Sequence, residues 1–145
     1  MLSQFEKRES LPKVSFLRIG IIVLTVLTAV VHFYLAYITF VLIAQGPLPP
    51  GATAETLLPF AILFLLNGIG YIVLVAALYM SRLQRFQWST RWVLIGYTLL
   101  TIVAWYVLAG SRANLFDYSD KLIEAGLIVL LLIEGWQTRQ SSERK

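Results

Sequence analysis

Cysteine is absent from the chain and histidine occurs once, at His32. The first absence excludes disulfides, thiol catalysis, iron–sulfur ligation and cysteine-type zinc sites. The second excludes a bis-histidine haem or a histidine-rich metal cage within one chain. Charge is scarce as well: 14% of residues are Asp, Glu, Lys or Arg, against an apolar fraction of 58% and a mean hydropathy of +0.74. Soluble domains carry about 25% charged residues, so this is a membrane composition. No nucleophile stands beside a base, no metal-ligand spacing is visible and no phosphate-binding glycine loop occurs, so neither an enzyme nor a metal site is expected. The formal charge of +4 does not point to nucleic acid, because the basic residues gather at the ends of apolar runs rather than on one soluble face.

What is present is four long apolar stretches in 145 residues. A bilayer core of about 30 Å needs about 20 apolar residues per helix, so the stretches consume most of the chain. They read as a single all-α domain, a four-transmembrane-helix bundle with spans at about 16–44, 57–80, 92–110 and 118–136. The first apolar run is too long for a signal-peptide core and ends in LIAQGP, a poor cleavage site, so it is expected to be retained. The link QGPLPPGATAE cannot be helical throughout, and Pro59 is expected in the first turn of the second span, where a missing amide donor costs least. Asp117 or Ser119 is placed to cap the fourth helix.

Positive charges predict the orientation. Lys7, Arg8, Lys13 and Arg18 precede the first span, Arg82, Arg85 and Arg91 separate the second from the third, and Arg139, Arg144 and Lys145 follow the fourth. The opposite links hold only Arg112, with Lys121 at the edge. By the positive-inside rule both termini are cytoplasmic in a multi-pass protein of the cell membrane.

Function must then come from polar side chains that project between helices, because lipid satisfies no backbone group. Thr25, Thr28, His32, Ala36 and Thr39 form one stripe on the first span. Asn67, Gly70, Tyr71 and Leu74 share a face of the second, and Tyr97, Thr101, Ala104 and Leu108 a face of the third. On the fourth, Asp117, Asp120 and Glu124 share a face, with Lys121 in pairing reach of Asp117 and Glu124. At ~1.5 Å per residue, His32, Asn67 and Thr101 lie roughly 13 to 18 Å deep and Glu124 about 7 Å deep. An outward-opening recess is expected, with carboxylates at its mouth and His32, Asn67, Tyr71 and Thr101 towards its floor. Each feature also has a structural reading: acids at a helix start complement its dipole, Lys121 with two acids is an ordinary ion pair, and Gly68, Gly70, Gly96, Ala104 and Gly126 allow close helix approach. Glu134, near the cytoplasmic boundary, reads as solvated.

Three runs, LLNGIGYIVLVAALY, RWVLIGYTLLTIVAW and DKLIEAGLIVLLLIE, resemble those of a recurrent type of small prokaryotic four-span membrane protein with no assigned activity. The resemblance covers the three later helices and implies the architecture, without a mechanism. The first-helix glutamate of small multidrug transporters is missing here. The favoured expectation is a non-enzymatic structural or accessory membrane protein that self-associates as a homodimer or packs in a larger membrane complex. One alternative is a small oligomeric transporter or channel handling protons or cations through Glu124 and His32. Another is a site for an apolar ligand (quinone, lipid or pigment) between helices. The sequence names no cofactor.

Overall fold

The computed structural model describes residues 16–46, 48–109 and 115–143. The N-terminal segment with Lys7, Arg8, Pro12 and Lys13, the link around Arg112, and Arg144 and Lys145 lie outside the described residues. The described chain is all helical, with α1 (Phe16–Gln45), α2 (Ala54–Tyr79), a 3-10 turn (Ser81–Phe86), α3 (Gln87–Ala109) and α4 (Leu115–Glu143). Three stretches are long and apolar enough to cross a membrane: α1, α2 and Ser81–Leu108. The fourth helix has 29 residues, but Asp120, Lys121, Glu124 and Glu134 interrupt its apolar run, and it is not among the three.

Local chemistry explains where these elements start. Thr53 caps α2 in a reciprocal box with Thr56: the Thr56 amide donates to the Thr53 hydroxyl at 3.2 Å, and the Thr53 amide donates to the Thr56 hydroxyl at 2.9 Å. The helix therefore begins three residues earlier than expected, and Pro59 falls inside it, past the first turn, where its ring removes one backbone hydrogen bond. The turn between α1 and α2 uses Gly46 and Gly51, both at positive φ (97° and 83°), a region costly for other residues. The link after α2 is not an open loop. It winds as the 3-10 turn straight into α3, which begins five residues before the expected position.

The fourth helix also departs from expectation at both ends. It starts at Leu115, so Asp117 lies in its first turn rather than at the cap, and the Ser119 hydroxyl donates back to the Leu115 carbonyl at 2.9 Å. It runs on to Glu143, seven residues past Trp136, because QTRQSSE contains no Pro or Gly to end it.

Each helix packs on its two neighbours in sequence, and α4 closes the ring against α1. The core between them is Ile21, Ala29, Tyr71, Leu78, Leu94, Ile95, Leu127 and Leu131. Close approach is provided by glycine in places: a Cβ on Gly68 would lie 2.7 Å from the Phe33 ring, and one on Gly70 would collide with the Tyr97 phenol. Gly126 is looser, with Leu24 at 3.6 Å, and Gly96 faces nothing within 4 Å, so it does not serve helix approach within this chain.

Hydrophobicity runs opposite to that of a soluble bundle. Val30, Leu63, Val73, Leu100, Val107 and Leu122 are all more than half exposed, whereas Thr25, Thr28, His32, Arg91, Thr98, Asp120, Glu124 and Glu134 are buried. An apolar exterior around a partly polar interior is what a hydrocarbon solvent selects. On α4 the buried residues Asp120, Glu124, Leu127, Leu131 and Glu134 recur every three or four positions, one inward stripe with acids at both ends.

Candidate functional site

The sequence-selected residues His32, Tyr71, Thr101, Asp120, Lys121 and Glu124 come together between all four helices. Glu124 is fully buried at the centre. Its Oε1 accepts from the Tyr71 hydroxyl at 3.2 Å and from the Thr101 hydroxyl at 3.1 Å, and its Oε2 accepts from Lys121 Nζ at 2.7 Å. Thr101 has one hydroxyl hydrogen, which it divides between Glu124 and the Thr98 carbonyl at 2.8 Å. Lys121 Nζ also contacts Asp120 Oδ2 at 2.9 Å, so one ammonium bridges two carboxylates. These hydrogen bonds join residues up to 53 positions apart.

This differs from the expected recess in two respects. Glu124 is not at a mouth above the hydroxyls but at their level. The early start of α4 places nine residues before it, about 14 Å of helix at ~1.5 Å each, twice the expected depth. Lys121 pairs with Glu124, as the spacing predicts, and also with its neighbour Asp120. Asn67 is half-buried one turn from Tyr71; its backbone carbonyl accepts from the Tyr97 hydroxyl at 3.3 Å, and it joins the site as part of a cavity wall.

His32 is held in one orientation. Its Nδ1 lies 2.8 Å from the Thr28 carbonyl, which can only accept, so Nδ1 carries the hydrogen. Nε2 then faces Glu124 Oε1 at 4.0 Å. The ring also packs against Tyr71, with centroids 5.8 Å apart, and Tyr71 meets Tyr97 edge-on at 5.2 Å.

Beside this cluster lies a cavity of about 420 Å³. Most of its wall is apolar, from residues such as Leu35, Phe64, Leu100 and Trp105; the polar part comes from His32, Asn67, Thr101, Asp117, Asp120 and Lys121. Its rim residues Leu63, Leu66, Leu100 and Leu108 are 56–65% exposed, so it opens sideways between α2 and α3. The opening arises because α3 buries Leu94, Ile95 and Thr98 but no described residue beyond them. Ala104 and Leu108, expected to face a neighbouring helix, border the cavity instead.

Sequence reasoning missed a second polar centre. Glu134 is buried, not solvated, and accepts from Arg91 Nη2 at 3.1 Å and from the Tyr79 hydroxyl at 3.2 Å, with Arg18 Nε at 3.6 Å. Arg91, expected in a link, is 3% exposed on α3, and its aliphatic stem packs on Gly135, where a Cβ would stand 3.2 Å away. Spacing held one usable signal: Glu134 lies ten residues after Glu124, on the same stripe. That separation is about 15 Å along the helix. No family model, no curated protein and no solved structure matches the chain.

Proposed function

We propose that the chain is a four-span membrane protein, with both termini cytoplasmic, that binds a lipophilic small molecule with a hydrogen-bond-accepting head, of the quinone class, between its helices. The observation that carries the reading is the laterally open cavity of about 420 Å³ with an apolar wall and one polar group of residues. That volume lies in the roughly 300–1,000 Å³ range of small-molecule sites, which combine apolar lining with a few convergent polar groups. A side opening at Leu63, Leu66, Leu100 and Leu108 suits a ligand that arrives from the hydrocarbon phase. Lys121 has three N–H donors and two carboxylate partners, which leaves one hydrogen for a ligand oxygen.

The fourth span is supported by the direction of its charges. Asp120, Glu124 and Glu134 are buried, while Leu122, Val129 and Leu132 are exposed, so the face offered to lipid is apolar although the average composition is not. The charge distribution of the sequence supports the orientation.

The structural reading accounts for the Lys121 clamp but gives the cavity no role. The transport reading uses Glu124 and His32 but gives the apolar wall of the cavity no role. The test is extraction of the purified protein with organic solvent and mass spectrometry, together with quenching of tryptophan fluorescence by a naphthoquinone. Trp105 lines the cavity and serves as reporter. Saturable quenching that is lost in Ala104→Phe supports the reading. Equal quenching in a variant with the cavity filled refutes it.

A further inference from the structure

We propose that His32, Asp120 and Glu124 form a binding site for a divalent transition-metal ion, for which Lys121 is a tethered competitor. One ligand atom from each residue lies within 4.8 Å of the other two, and all three residues are buried. The site stands on these side chains and does not depend on what occupies the neighbouring cavity.

Three observations point to a cation. The Thr28 carbonyl holds a hydrogen of His32 on Nδ1, so in the neutral imidazole the Nε2 lone pair faces Glu124 Oε1 at 4.0 Å. In that tautomer two buried acceptors face one another. A backbone carbonyl on the far nitrogen is also how metal-binding histidines are oriented. Second, Asp120 is 95% buried, yet its Oδ1 has no hydrogen-bond partner, an orphaned acceptor beside the other two. Third, two buried carboxylates share a single ammonium, so with both ionised the cluster carries a net negative charge that a low-dielectric interior penalises. A divalent ion balances both carboxylates.

One imidazole and two carboxylates form a mixed nitrogen and oxygen set that suits Zn²⁺, Mn²⁺ or Fe²⁺ better than the hard ions Mg²⁺ and Ca²⁺. Tyr71 and Thr101 hold Glu124 in place by donating to Oε1. Lys121 has somewhere to go when the metal enters: its Nζ lies 6.0 Å from the Trp105 ring centroid, and an aromatic face attracts an ammonium.

The experiment is a titration of chelator-treated full-length protein in detergent micelles with Co²⁺, read by its visible absorption, and with Mn²⁺, read by electron paramagnetic resonance. Zn²⁺ serves as competitor in both. One ion per chain is expected. His32→Gln and Asp120→Asn should each weaken binding by more than the roughly 10–100-fold that loss of an orienting partner costs, and Glu55→Gln, at an exposed position in the first turn of α2, should leave it unchanged. Lys121→Met should tighten binding at least about tenfold by removing the competing charge. Absence of binding to the wild type, or binding unaltered by His32→Gln, overturns the proposal. Should Lys121→Met fail to accumulate, the wild type and His32→Gln decide it alone.

Discussion

The buried pair Arg91–Glu134 offers the sharpest test of how this bundle is held together. Glu134→Leu leaves the Arg91 guanidinium 3% exposed, with Nε already lacking a partner and Nη2 losing its bond of 3.1 Å. Removing one partner of a buried pair costs about 3–5 kcal/mol, because the remaining charge is uncompensated. Arg91→Met should cost less, about 2 kcal/mol. Glu134 then keeps Tyr79 at 3.2 Å and Arg18 at 3.6 Å, and the loss approximates one hydrogen bond to a charged group. The double variant leaves no orphaned ion on α3 or α4. It should lie within about 2 kcal/mol of wild type, since a packed apolar pair replaces a buried ionic one at little cost. The cycle therefore predicts strong non-additivity, at least about 3 kcal/mol. Reversible unfolding of the reconstituted protein in mixed micelles, followed by circular dichroism, measures all three. Additive single effects, or a Glu134→Leu cost below about 1 kcal/mol, would show that Glu134 is solvated and that Arg91 carries no buried charge.

Further outcomes follow from the same contacts. Gly68→Ala and Gly70→Ala should each destabilise by about 1–3 kcal/mol, as overpacking does, because the added carbon meets Phe33 or the Tyr97 phenol. Gly96→Ala should be neutral or slightly stabilising in the monomer; a large loss, read together with a change in oligomeric state by crosslinking, would reveal a second copy against that face. Thr101→Val removes one donor to Glu124 and should cost about 1 kcal/mol in the same unfolding assay. The chain has no native cysteine, so single-cysteine variants report topology without background. Thr53→Cys and Gln84→Cys should label from opposite sides of the membrane with an impermeant maleimide, and labelling from the same side would refute the proposed orientation.

Much of the architecture was legible in the residues. Long apolar runs separated by Gly and Pro predict the helices, and the three- and four-residue spacing of Thr25, Thr28 and His32, or of Asp120 and Glu124, predicts which sides of α1 and α4 face protein. Periodicity reports on one helix at a time, and these periodicities hold because a helix places such residues on one face whatever surrounds it.

Tertiary structure decided everything that depends on rotation and depth of one helix against another. Spacing could not show that Lys121 would bridge Asp120 and Glu124, that Glu124 would lie level with Tyr71 and Thr101, or that Arg91 and Glu134 would bury one another. Those outcomes follow from where α4 begins and how α3 is rotated, and a shift of a single turn would regroup the charges. The cavity was equally invisible, because it exists only where α3 stops burying side chains against its neighbours beyond Thr98. A run such as LLTIVAW is apolar whether it meets lipid, another helix or a ligand. Sequence by itself determined which side chains had to avoid lipid; only packing determined which of them would meet.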